Sequence, residues 1–342
     1  MFDALRVPPC HVSFSGGRDS SAVLAVASHV ARREGLPPPV PVSYAFPGVP
    51  AAAEDDWQQM VIRHLGLPDW ERIEIRDELD YLGDVARRAL ERHGDLYPAN
   101  AHFQGPAIER ASGGTLLTGW GGDDVFDGWR LQRVGMVLRG GARPTGTDAR
   151  RCAFWASPLP VRRGLLRRFG RLPLEWLAPA ARRRVYRDWA VDYASQPRRF
   201  DRWLHWLRRH TYVWATESTI TALGDDAGTR VAHPLIDARF LAALARDCGA
   251  LGPGDRATAW RRLFGDLLPE AVLTRRSKAF FGDVFLGRHS REFLATWRGQ
   301  GLDPAVVDRT AMEAALRLPN TAYRLGLLLQ WAWRRSVRLG VE

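Results

Sequence analysis

The string Ser15-Gly16-Gly17-Arg18-Asp19-Ser20-Ser21 constrains this chain more than any other stretch, because it falls where a strand gives way to a helix. Residues 11–15 read as a short β run. Residues 22–34 then carry a helical stripe at Ala22, Val23, Val26, Ala27 and Val30. Two glycines at such a junction let the backbone close around a ligand. The N–H groups and serine hydroxyls that follow point into the positive end of a helix. The product is an anion cradle suited to phosphate, distinct from both the GxxxxGK[ST] loop and the GxGxxG turn. Asp19 inside the cradle would repel bare phosphate, so the string implies a divalent cation between the two.

The alternation continues. Residues 41–46, 72–75 and 115–118 read as strands, 54–65 and 79–93 as helices, with Asp55 and Asp56 in the acidic first turn of the former. Strands alternating with helices predict βαβ units, hence an α/β fold with a parallel sheet covered on both faces. From about residue 130 the texture changes. Residues 139–173, with Gly, Pro and doubled arginines, read as a basic connector or insertion. Residues 175–219 are aromatic and helical, with Trp176, Trp189, Trp203, Trp206 and Trp214; Trp203 and Trp206, three apart, read as core rather than as base-stacking platforms. The last third looks helical, ending in 323–338. The expected division is an α/β nucleotide core at 1–135, a basic, aromatic-rich helical insertion at 136–210, and a helical part at 211–342 that completes the active site.

Composition excludes several classes. With 46% hydrophobic and 25% charged residues among 342, wholesale disorder is out. No stretch approaches the roughly 20 apolar residues that span a bilayer. The N-terminus, Met-Phe-Asp-Ala-Leu-Arg, lacks the layout of a secretory signal, so a cytoplasmic protein is expected, with no membrane contact. Cys10, Cys152 and Cys248 are far apart and make no zinc set or disulfide framework; Cys10 reads as a buried strand residue. The net charge of +11 is nearly all arginine. Lys278 is the sole lysine, and Asn100 and Asn320 the only asparagines, the pattern of a GC-rich genome. Two readings of that charge stand: arginine filling ordinary surface positions, or a basic face for an acidic partner or nucleic acid. The same bias marks Lys278, because a compact ammonium does what a broad guanidinium cannot.

These residues carry a resemblance. SGGRDSS resembles the pyrophosphate loop of the N-type ATP pyrophosphatases, the SGGxDS family, which cleave ATP between the α and β phosphates and adenylate a carboxylate or carbonyl oxygen. Leu116 to Trp129, LLTGWGGDDVFDGW, resembles the asparagine synthetase signature SGEGSDELFGGY. Arg230 to Asp237, RVAHPLID, is similar to that family's RVPFLD, and Leu268-Pro269-Glu270 followed by Thr274-Arg275-Arg276-Ser277-Lys278-Ala279-Phe280 to its LPxxxxxRxK element. The resemblance to asparagine synthetase and β-lactam synthetase implies an adenine-nucleotide α-hydrolase-like core using ATP and Mg²⁺. It implies that Ser15, Gly16, Gly17, Asp19, Ser20 and Ser21 hold pyrophosphate, that Thr118 and Gly119 lie along the adenosine, and that Asp19 and Asp123 bind the metal. Lys278 is then the catalytic lysine, stabilising charge as an amine attacks the acyl-adenylate.

Two departures shape the expected function. Residue 2 is Phe and the first strand starts about ten residues in, leaving no room for the glutaminase domain of asparagine synthetases. The amine would then come from the substrate, free ammonia or a partner protein. Trp120 stands where asparagine synthetases have Glu and β-lactam synthetase has Tyr, and indole offers no acid or base function. Either another residue, with Glu217, Asp225 and Asp226 as candidates, deprotonates the amine, or Trp120 packs against an apolar substrate. The expectation is an AMP-forming carbon–nitrogen ligase joining a carboxylate to an amine, in natural-product or peptide (macrolactam) biosynthesis. Alternatives are a tRNA-modifying enzyme of the lysidine-synthetase type, though nucleic acid is not the expected partner, and a nucleotide-binding subunit inactive without its partner. The doubled arginines within 139–209 could hold an acidic leader peptide or form a solvated face.

Overall fold

The computed structural model describes residues 1–316 and 322–338. Short runs between turn residues form five strands: β1 (Cys10–Ser13), β2 (Val40–Ala45), β3 (Glu71–Glu74), β4 (Thr115–Thr118) and β5 (Arg230–Ala232). They build one sheet, parallel throughout, in the order β3-β2-β1-β4-β5. Parallel neighbours need long crossovers, and helices supply them. Helix α1 (Arg18–Glu34) leads from β1 to β2, α2 (Asp55–Leu65) from β2 to β3, and α3 (Asp84–His93) falls between β3 and β4. The first two stop at Gly35 and Gly66, both in the left-handed conformation that closes a helix. The result is the α/β parallel-sheet architecture that the alternation predicts.

Side chains leave the central strands alternately. Val12 and Leu117 join the core beneath α1 with Ala22, Leu24 and Ala27, whereas Leu116 and Val42 join the opposite face with Leu82, Leu90 and Ile108. Both faces of the central strands are thus covered, as a parallel sheet requires. Cys10 lies in β1, where burial pushes its thiol up to about 11.

Chain order reverses at the β1–β4 pair: β2 and β3 extend the sheet to one side, β4 and β5 to the other. At such a switch the loops leaving the carboxyl ends diverge and open a crevice. Ser13 pairs in register with Thr118, so the loops that begin at residues 14 and 119 start side by side.

The remaining chain is mainly helical. Helix α4 (Gly122–Asp127) follows β4. Next come α5 (Gly146–Ala156), α6 (Leu159–Phe169), α7 (Pro179–Ser195), α8 (Phe200–Arg208), α9 (Thr211–Asp226), α10 (Ala238–Cys248) and α11 (Arg256–Phe264). Three details differ from the sequence reading. The stretch 139–173 is not mere connector, because a Thr145–Asp148 capping box starts α5 and Pro160 sits in the first turn of α6. The helix expected from residue 79 begins only at Asp84: Asp80 is buried and accepts from the Leu82 and Ser290 N–H groups, which fixes a turn there. Strand β5 comes from a segment read as helical and, at three residues, is too short to show a period. Trp203 is buried in the core and Trp206 packs against its edge. No helix among the described residues is long and apolar enough to cross a membrane.

Candidate active site

The loop from β1 to α1 is held open by its own side chains. Gly16 has φ +78°, and a Cβ there would lie 3.1 Å from the Gln58 backbone and 3.2 Å from Trp57, so the turn tolerates only glycine. Ser20 Oγ donates to the Gly17 carbonyl at 3.1 Å and accepts from the Ser15 N–H at 3.2 Å. Ser15 Oγ lies 3.1 Å from Ser20 Oγ and accepts from the Gly17 N–H at 3.3 Å. No side chain caps the 17-residue α1 at Gly17, which leaves its first turn as an anion-attracting end.

The loop after β4 lies directly on this one. A Cβ on Gly119 would come within 2.6 Å of the Ser20 nitrogen, and one on Gly122 within 2.3 Å of the Asp19 carboxyl carbon. Absent side chains at 119 and 122 therefore bring α4, with Asp123 in its first turn, against Asp19. Arg256, the first residue of α11, reaches into the junction. Its guanidinium, only 8% exposed, bonds Asp19, Asp123 and Asp127. Lys278 Nζ donates to Asp123 Oδ2 at 2.7 Å.

The two carboxylates feel this setting differently. Burial pushes the Asp19 carboxyl up to about 6 against the pull of Arg256. Burial also works to raise Asp123, but hydrogen bonds from Lys278 and Arg256 outweigh it and hold the group below its ordinary value.

Lys278 sits on a segment fastened to the phosphate loop. Arg275 forms a buried two-pronged pair with Glu54, donates to the Gly16 carbonyl at 2.9 Å, and stacks 4.5 Å over Trp57. The Phe280 N–H donates to the Ala51 carbonyl at 2.8 Å. Between these ties Lys278 stays exposed. The cleft has a volume of about 460 Å³ and runs from Ser15, Gly17 and Asp19 to Trp120, Asp123 and Lys278. A narrow slot of only about 20 Å³ lies beside it, lined by Tyr44, Phe46, Phe103 and Phe281, whose rings already pack on one another.

Trp120 forms one wall and meets the His233 ring edge-on at 5.0 Å. His233 Nδ1 lies 2.6 Å from Thr118 Oγ1. Burial, and then Arg208, lower the imidazole to about 4, so it is neutral at physiological pH.

The structure thus gathers Ser15, Gly17, Asp19, Ser20, Gly119, Trp120, Asp123 and Lys278 around one cleft, with the buried Gly16 forming the turn behind it. Thr118 and Ser21 lie beneath its surface. The Thr118 hydroxyl is committed to His233 and the Trp120 N–H, and Ser21 is fully buried with its hydroxyl unbonded. The three candidate bases do not line the cleft. Glu217 pairs with Arg208 at 2.9 Å, Asp226 with Arg92 and His93, and Asp225 is exposed on α9. Sequence reasoning missed Arg256, the Glu54–Arg275 tie and His233. The last stands inside the recognised RVAHPLID stretch, and only its place beside Trp120 distinguishes it.

One guanidinium touching both Asp19 and Asp123 shows that they converge on a single cationic point. No group of three or more His, Cys, Asp or Glu placed for a metal occurs among the described residues. Two hard carboxylates fit Mg²⁺ when phosphate oxygens complete its shell, and Asp19 and Asp123 are the residues that would hold it.

The asparagine synthase family model matches residues 6–334, and the chain belongs to that family. Its members share the adenine-nucleotide α-hydrolase-like fold and are ATP-dependent, AMP-forming amide ligases that generally use Mg²⁺. No curated protein matches the chain.

Proposed function

We propose, with membership of the asparagine synthase family as the premise, that this protein activates a carboxylate larger and less polar than aspartate and joins it to an amine, in natural-product or peptide macrolactam synthesis. The observation that carries the reading is Trp120. An indole backed by a neutral imidazole presents an apolar wall where a small, charged amino acid would need polar partners.

The Ser15–Ser20 loop takes the β and γ phosphates at the start of α1. Mg²⁺, when bound, screens phosphate charge during displacement. The substrate carboxylate oxygen attacks the α phosphorus and pyrophosphate leaves. A neutral amine then attacks the acyl carbon, the C–O bond to AMP breaks as the departing phosphate takes up the amine's proton, and an amide forms. Lys278, at the exposed end of the cleft, stabilises the negative charge that develops on the acyl oxygen and the departing phosphate.

The test is ATP turnover with a panel of acids, from aspartate to linear peptides carrying a side-chain carboxylate and a free amine. AMP and pyrophosphate released with peptides but not with aspartate and ammonia support the reading. ADP and phosphate as products, or aspartate as the preferred acid, overturn it.

A further inference from the structure

The chain's basic charge is concentrated in one place. Residues 139–198 contain fourteen arginines and four acidic residues, a net +10. The other 282 residues hold 35 basic side chains against 34 acidic ones and are nearly neutral. A genome-wide preference for arginine codons would raise arginine everywhere. It does not explain why carboxylates balance it everywhere except here. Among the described residues, none of these fourteen arginines forms an ion pair.

These residues build α5, α6 and α7. Along α6, Val161, Leu165 and Phe169 recur every four residues and are 48%, 39% and 65% exposed, an apolar stripe facing water. Arg167 and Arg168 stand exposed on the same helix. Arg162 is different: it is 8% exposed and stacks 5.1 Å over Trp155, and its Nε and Nη1 have no hydrogen-bond partner. A buried guanidinium without an acceptor is costly, and burial together with repulsion from Arg198 and Arg163 weakens its hold on its proton. A carboxylate delivered from outside would satisfy it.

We infer that the α5–α7 surface docks an acidic, amphipathic segment of a separate polypeptide, with apolar side chains on Val161, Leu165 and Phe169 and carboxylates on Arg162 and its neighbours. Nucleic acid would pair with the arginines but leave the apolar stripe in water. An amphipathic acidic helix covers both. The inference does not depend on which acid the cleft activates.

The test uses fluorescence anisotropy with three labelled probes: a Glu/Leu peptide of roughly 16 residues with leucines at helical spacing, a scrambled peptide of the same composition, and a DNA duplex of similar length. Binding is read at about 50 and about 300 mM salt for the wild type, Leu165→Ser/Phe169→Ser and Arg167→Glu/Arg168→Glu. The patterned peptide is expected to bind roughly tenfold tighter than the scrambled one and to lose roughly tenfold in each double variant. Mg-ATP binding stays unchanged in both, showing that they remain folded. Equal binding of the scrambled peptide, tighter binding of the duplex, or indifference to the serine pair overturns the proposal.

Discussion

Lys278 Nζ donates to Asp123 Oδ2 across 2.7 Å, so the only lysine of the chain and a carboxylate 155 residues earlier share one end of the cleft. Because Lys278 is exposed, replacing it should leave the fold intact. Lys278→Met is expected to keep its melting temperature and its Mg-ATP affinity while AMP formation falls about a hundredfold, roughly 3 kcal/mol of transition-state stabilisation. Lys278→Arg should not restore the rate, since a planar fork cannot replace a point charge. Quenched-flow measurement of AMP checks this; an unaltered rate in Lys278→Met removes the lysine from the chemistry.

Arg256 supplies the countercharge for Asp19, Asp123 and Asp127 in the free protein. Arg256→Ala should cost about 3 kcal/mol in metal-free buffer, because it leaves partly buried carboxylates facing one another. Millimolar Mg²⁺ should recover much of that loss. Manganese titrated without nucleotide and followed by electron paramagnetic resonance should bind roughly tenfold tighter to the variant, as it no longer competes with a tethered cation. Lower stability with no gain in manganese affinity would reduce Arg256 to a packing role.

Gly122 and Gly164 make a controlled pair. A methyl on Gly122 would press on the Asp19 carboxyl group, whereas one on Gly164, inside α6, meets nothing within 4 Å. Gly122→Ala is expected to weaken Mg-ATP binding by roughly tenfold or more through displacement of Asp19. Gly164→Ala should leave binding alone and raise stability by up to about 1 kcal/mol. Calorimetric titration and thermal melts on both variants decide it.

His233 gives the protein an acid limit. Its imidazole is lowered from an ordinary 6.5 to about 4, so between these values the unfolded chain binds the extra proton. Its contribution is therefore fully present above about pH 6.5 and is lost as pH falls toward 4, amounting to about 3 kcal/mol there. In urea melts across pH 4 to 7, His233→Gln should show a correspondingly shallower decline on the acid side. An identical pH slope in the two proteins would contradict the assignment.

Legibility in the sequence followed rarity and locality. Strands β1, β2 and β4 and helices α1 and α2 could be placed because glycine turns bound short periodic runs. Asp19 stands out because an acid inside a glycine-rich phosphate loop is chemically odd, Asp123 through the resemblance of residues 116–129 to the asparagine synthetase signature, and Lys278 because it has no rival. Arg256 is one of 48 arginines, and nothing local sets it apart. Its importance arises only when α11 begins beside two loops that lie 133 and 237 residues earlier. Arg275 stands within the recognised 274–280 stretch, but its tie to Glu54 is hidden for the same reason: the partner is 221 residues away, and a buried ion pair has no sequence period.

That separation along the chain bears on synthesis. A ribosome delivers the phosphate loop, Asp19 and Asp123 long before it delivers Arg256, Arg275 and Lys278. The emerging polypeptide holds Asp19 and Asp123 with neither the guanidinium nor the lysine that pair with them in the folded protein. The acidic cluster is thus without its countercharge until the last third of the protein folds back onto the first.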